Sequence, residues 1–143
     1  MTRRQILALL AVVGICIALY LTLYKFGVIG VLSCSIGSCE MVNTSKWSML
    51  FGLPIAAWGL GAYVVLLVLA IVGGSESREE SVPIAQLLVA LAGFSVLFSA
   101  WLTYLELFVI HAICIWCLSS AALWVVILGV CLADLRTVSR ATR

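Results

Sequence analysis

Hydrophobic and polar positions along the 143-residue chain fall into long blocks, not into the short alternations of a water-soluble fold. Four runs carry almost no charge and cover approximately residues 6–25, 54–73, 83–107 and 112–134. Each is close to the roughly 20 residues a helix needs to cross a hydrocarbon layer about 30 Å thick. Lipid cannot satisfy backbone amides, so runs of this length predict helices. Pro54 and Pro83 fall at the starts of the second and third runs, where a missing N–H costs nothing. A loop over residues 26–53 and a short charged hairpin at 74–81 separate the runs. The pattern predicts an all-α integral membrane protein, a single membrane domain over 1–143 with four transmembrane helices.

Composition agrees. The chain is 65% hydrophobic and 10% charged, with a mean hydropathy of +1.28, too few polar groups to coat a surface facing water. The lipid bilayer is therefore the solvent, and a net charge of +2 gives no reason to expect nucleic acid. The distribution of that charge predicts orientation. With four spans, Arg3, Arg4, Arg78, Arg136, Arg140 and Arg143 share one side, and only Lys25 and Lys46 lie on the other. Both termini are expected in the cytoplasm. The 26–53 loop and the turn at 107–111 are expected to face the periplasm or exterior, in a multi-pass protein of the inner (cytoplasmic) membrane. "VLSC" resembles a lipoprotein cleavage site. However, Lys25, Phe26 and Gly27 separate it from an apolar run longer than a signal's core, so the first span is expected to be retained.

Four of the six cysteines fall on the outer side, where paired cysteines persist. Cys16 and Cys131 sit within spans and read as small packing residues. Cys114 and Cys117 stand three apart in "HAICIWC", at the mouth of the fourth span. On a helix such a pair shares a face with Cβ atoms about 5–6 Å apart, close enough to bridge with modest distortion. A helix N-terminus also favours thiolate. Cys34 and Cys39 lie in "SCSIGSCEMVNTSKW", a loop rich in small residues and able to swing. Three readings fit the two pairs. They are structural staples, a four-thiolate zinc site, or a relay in which the loop pair exchanges electrons with the fixed pair. In the relay, Cys117 lies about one turn deeper than Cys114, roughly 4.5 Å. It then faces the membrane interior, whose abundant two-electron carrier is a quinone.

The order of these motifs resembles the vitamin K epoxide reductase family in its bacterial branch. The likeness runs through Cys34 and Cys39, Ser45 just before "KW", "FGLP" at the entry to the second span, and "HAICIWC". The resemblance implies a four-helix bundle around a quinone of menaquinone or ubiquinone type. It also implies an outer cap, formed by residues 27–50 and a half-helix near Trp47 to Phe51. Cys34, Cys39, Cys114 and Cys117 become the catalytic cysteines, with Cys114 the relay partner of the loop and Cys117 in contact with the quinone. The implied activity is a membrane thiol oxidase that makes disulfides outside the cytoplasm. Its implied partner is a separate thioredoxin-fold (DsbA-like) thiol oxidase of the periplasm. Ala121 and Ser48 depart from vertebrate members, which have tyrosine and asparagine there, and this favours a respiratory quinone over an epoxide.

Further residues are expected at the quinone. Leu102, Glu106 and Ile110, spaced by four, line one helical stripe, and an acid at membrane depth is a functional candidate. Trp58, about a turn into the second span, is the pocket tryptophan, while most of the other tryptophans are interface anchors or packing. Ser45 either bonds a quinone carbonyl or caps the half-helix. His111, three before Cys114, supports a proton or a thiolate, or caps a helix start.

Overall fold

A computed structural model describes residues 2–28, 30, 39–75, 81–141 and 143, without the side chains of Cys39, Glu40 and Asn43. Cys34 thus lies outside the described residues, as does the side chain of Cys39. Four helices are long and apolar enough to cross a membrane: α1 (Arg3–Lys25), α3 (Ile55–Gly73), α4 (Val82–Leu105) with its π-helical extension Glu106–Ile110, and α5 (Ile115–Ala141). Large apolar side chains such as Leu97 (73% exposed) and Phe94 (69%) point outward from α4, as lipid-facing residues do. The short helix α2 (Cys39–Thr44), a 3-10 turn (Lys46–Ser48) and a two-stranded hairpin, β1 (Met49–Leu50) with β2 (Leu53–Pro54), connect α1 to α3.

The spacing of buried residues explains how the helices pack. α1 buries Arg4, Leu7, Ala11, Gly14, Ala18 and Leu21, and α5 buries Trp124, Ile127, Cys131, Asp134 and Val138. α3 buries Tyr63, Leu66, Ala70 and Gly73, while α4 buries Ala85, Leu88, Ala92 and Ser95. Each stripe alternates steps of three and four, the seam that lets helices wrap at a shallow angle with interlocking side chains. Tyr63 is central. Its ring lies against Gly14, where an added Cβ would sit 2.1 Å from a ring carbon, and stacks on Trp124 at 4.5 Å between centroids. Its hydroxyl is 2.8 Å from Ser120 Oγ. One aromatic side chain of α3 therefore joins α1 to α5.

A charged knot closes the end of the bundle that holds the termini. Thr2 and Gln5 form a reciprocal capping box, which starts α1 at Arg3 and puts Arg4 on the buried stripe. Arg4 Nε meets Asp134 Oδ2 of α5 at 3.2 Å, Nη1 donates to the Gly73 carbonyl ending α3, and Nη2 donates to the Ser81 carbonyl preceding α4 at 3.3 Å. A Cβ on Gly73 would stand 2.8 Å from both Arg4 Nη1 and Ile84 Cγ2, so a larger residue would obstruct that approach. One guanidinium thus ties all four spanning helices together.

At the opposite end the cap departs from the expected half-helix over Trp47–Phe51. Helical winding stops at Ser48, and the chain reverses at Phe51 and Gly52, whose φ values of 52° and 80° are those of a tight type I′ hairpin turn. Trp58 Nε1 donates to the Leu50 carbonyl at 2.9 Å, and its ring meets Phe51 edge-on. These contacts hold the hairpin on α3. Lys25 Nζ donates to Ser48 Oγ at 3.0 Å, linking the same cap to the end of α1.

Candidate active site

The turn between α4 and α5 gives the two sulfurs different surroundings. α4 ends in a π turn, and His111 takes a left-handed conformation (φ 55°). The backbone N–H groups of His111 and Ala112 both close back on the Glu106 carbonyl, which stops the helix. α5 then begins at Ile115, three residues later than the hydropathy run suggested. Cys114 consequently sits just before the helix instead of within its first turn, and Cys117 is the third helical residue. The Cys117 N–H donates to Cys114 Sγ at 3.4 Å, the geometry of a side-chain cap. In the sequence, the helix N-terminus was expected to favour a thiolate at Cys117. In the structure its N–H serves Cys114.

Both cysteines are present as thiols. Cys114 is fully buried, in a cluster with Leu21 of α1, Val42 of α2 and Ala112. α2, whose first residue is Cys39, therefore packs beside this sulfur. Donation from the Cys117 thiol holds the Cys114 thiol below its ordinary pKa, against the opposing effect of burial. Cys117 instead faces a cavity of about 480 Å³ between the helices and the cap.

That cavity brings together Cys117, Trp58, Leu102, Glu106, Ile110 and Ser45, the residues singled out as a pocket in the sequence. Their contacts differ. Trp58 spends its N–H on the hairpin and presents its ring. The Ser45 hydroxyl donates to the Val42 carbonyl at 2.8 Å and makes no cap bond to the 3-10 turn that follows. Glu106 is 3% exposed, and its Oε2 accepts the Cys114 N–H at 3.3 Å. Its carboxyl and the Cys117 sulfur belong to the wall of one cavity. His111 does not join this group. The i, i+3 relation to Cys114 needs a helix, residues 111–113 are not helical, and the imidazole is exposed, so its visible role is to end the α4 extension.

Trp124, Trp47 and Lys25 are among the wall residues not singled out for the pocket in the sequence. Trp124 stacks on Tyr63, Trp47 lies under the Lys46 ammonium, and Lys25 reaches the cavity from the end of α1. Trp124 falls on the same stripe as Ile127 and Cys131, a spacing that could have marked it. For Lys25 and Trp47 the signal was absent, because the path of the cap decides what they face. Chemically, the site is an apolar chamber of ligand size with a thiol in its wall and few polar groups. A second, more acidic thiol stands behind that wall on the loop side.

Residues 5–132 match the family model described as the vitamin K epoxide reductase family. That match covers nearly the whole bundle and every described element of the site. Quinone-linked redox chemistry in a membrane is the family's general property. The chain belongs to the vitamin K epoxide reductase family, as an oxidoreductase with four membrane-spanning helices.

Proposed function

We propose that this protein is a quinone-dependent thiol oxidase that generates disulfide bonds outside the cytoplasm. The observation that carries the reading is the division of the dithiol. Cys117 lies in the cavity wall, and Cys114 lies behind it in a buried cluster with Val42 of α2, so one disulfide adjoins the loop helix on one side and a cavity for a lipid-soluble oxidant on the other. The residues fit a quinone. A volume of about 480 Å³ suits a flat head group, and indole and aliphatic walls suit its faces. Trp58, Leu102 and Ile110 would hold the ring, with Glu106 and Ser45 at its polar edge and Cys117 beside it. A bound quinone supplies acceptance of two electrons and two protons.

The chain's own residues carry the relay. A reduced thioredoxin-fold partner attacks the Cys34–Cys39 disulfide, most directly at Cys39, and leaves oxidised. The loop dithiol then attacks Cys114. That sulfur is the appropriate target, a reading supported by Val42 of α2, three residues after Cys39, in the Cys114 cluster. Attack at Cys114 releases Cys117 as the sulfur that faces the cavity. Positive charge at the Arg-rich ends supports an orientation with the relay on the outer face of an inner membrane.

The test is a coupled assay with purified protein, a reduced thioredoxin-fold protein and a menaquinone or ubiquinone analogue. One quinol should form for each partner disulfide. Cys117→Ala should abolish this, and Cys34→Ala should accumulate a mixed disulfide between Cys39 and the partner. Stapling disulfides would give no quinol and no adduct.

A further inference from the structure

We propose that Glu106 is the proton acceptor of the Cys117 thiol, an assignment that rests on the thiol-oxidase reading and adds the route of the proton to it. The carboxyl stands at 3% exposure on the outer end of α4, where ionisation is unfavourable without partners. Its Oε2 accepts the Cys114 N–H across the α4–α5 turn at 3.3 Å, and the residue lines the same cavity as Cys117. Bracing the turn does not need an acid, since an amide oxygen accepts an N–H equally well. What an acid adds is the capacity to take a proton, and the group that offers one is Cys117. That residue reaches Cys114 Sγ with its backbone N–H and shares the cavity wall with Glu106. Cys114 cannot keep the proton if its own sulfur is to close the disulfide. Glu106 can, and it lines the same cavity as the Cys117 sulfur.

The balance is complete. Oxidation of the dithiol breaks two S–H bonds, forms one S–S bond and releases two electrons and two protons. Cys114 first loses its proton; its thiolate then bonds to the Cys117 sulfur as the Cys117 proton passes to Glu106 and both electrons leave for the quinone. Glu106 then returns its proton to the reduced acceptor, and the proton lost earlier by Cys114 is replaced from water on the loop side. The quinone leaves as quinol, and Glu106 ends as it began. π turns recur at functional sites, and here the π turn starts at this residue.

Two measurements on purified protein test the assignment, using Glu106→Gln and Glu106→Asp. The first needs no quinone. In the reduced protein, the infrared S–H stretch of Cys117, identified by its loss in Cys117→Ala, should move to higher frequency in Glu106→Gln, because a neutral amide is a weaker acceptor than a carboxylate. It should move part of the way back in Glu106→Asp. The second mixes pre-reduced protein with a short-chain quinone without oxygen. Quinol formation should slow about a hundredfold in Glu106→Gln, the usual size of a lost proton-transfer group, with partial recovery in Glu106→Asp. An unmoved S–H band, or a Glu106→Gln rate within about twofold of wild type, overturns the proposal. If the wild type itself fails to reduce quinone, the thiol-oxidase reading falls and the proton's destination falls with it. The two failures are therefore told apart by the wild-type rate.

Discussion

Cys114 and Cys117 differ because a helix begins between them. The cap position gives Cys114 a backbone N–H and the Cys117 thiol as donors, and these favour its thiolate over the opposing effect of burial. A group with a lowered pKa stays ionised, and so reactive, to lower pH. Reactivity is lost only as pH falls through the lowered value. In a background without the loop cysteines, a small alkylating reagent should therefore modify Cys114 of Cys117→Ser with a midpoint below that of an ordinary thiol, since serine still donates. Cys117→Ala removes the side-chain donor and should shift the midpoint upward. Equal midpoints would show that the neighbouring side chain is not the cause. The sequence already displayed the cysteine spacing and the Leu102–Glu106–Ile110 stripe. It did not display which sulfur caps the helix, because that depends on where the π turn and the left-handed His111 end the preceding helix. Histidine in that conformation is uncommon, and no local signal distinguishes it from a histidine facing the dithiol.

Among the elements, hydropathy located the four long helices, because burial in lipid makes uncharged length the dominant signal, although the fourth helix continues past residue 134 to Ala141. The cap was less legible. Residues 46–54 are short and mixed, and the tertiary contacts of Lys25 and Trp58 decide between one half-helix and a 3-10 turn with a hairpin. Arg4 and Asp134 were hidden for a different reason. A charge at the end of an apolar run reads as an interfacial anchor, although the 4, 7, 11 and 127, 131, 134 spacings put both on buried stripes. Breaking one member of a buried pair leaves the other uncompensated, at a cost of about 3–5 kcal/mol. Arg4→Met or Asp134→Leu alone should lower the thermal midpoint in detergent sharply. The double variant should recover much of the loss, because neither charge is then stranded. A double variant as unstable as the sum of its parts would mean that the carbonyl contacts of Arg4, not the ion pair, hold the knot.

At the level of the whole molecule, four spans put both termini on one side, and the positive-inside rule applied to the arginines predicts that this side is the cytoplasm. A membrane-impermeant thiol reagent, applied to intact cells after mild reduction, should label Cys34 or Cys39. Labelling only after the membrane is breached would invert the orientation and remove the periplasmic partner. The bundle is closed by charge at one end and by an aromatic cap at the other, and the cavity lies beneath the cap. The proposed relay would thus be confined to the half of the bundle under the cap, and Cys16 and Cys131 would have no part in it. Cys131 is core, and Cys16 is exposed on α1.

In the proposed relay, electrons leave the protein through the Cys114–Cys117 pair into a quinone. Pre-reduced, reductant-free protein in a background without Cys34 and Cys39, given one equivalent of quinone under anaerobic conditions, tests this directly, with quinone absorbance followed and the new disulfide located by peptide mapping. The account predicts loss of quinone absorbance together with a Cys114–Cys117 disulfide, and no reaction in Cys117→Ala. Undiminished quinone absorbance in the wild type, or equal reduction in Cys117→Ala, would contradict it.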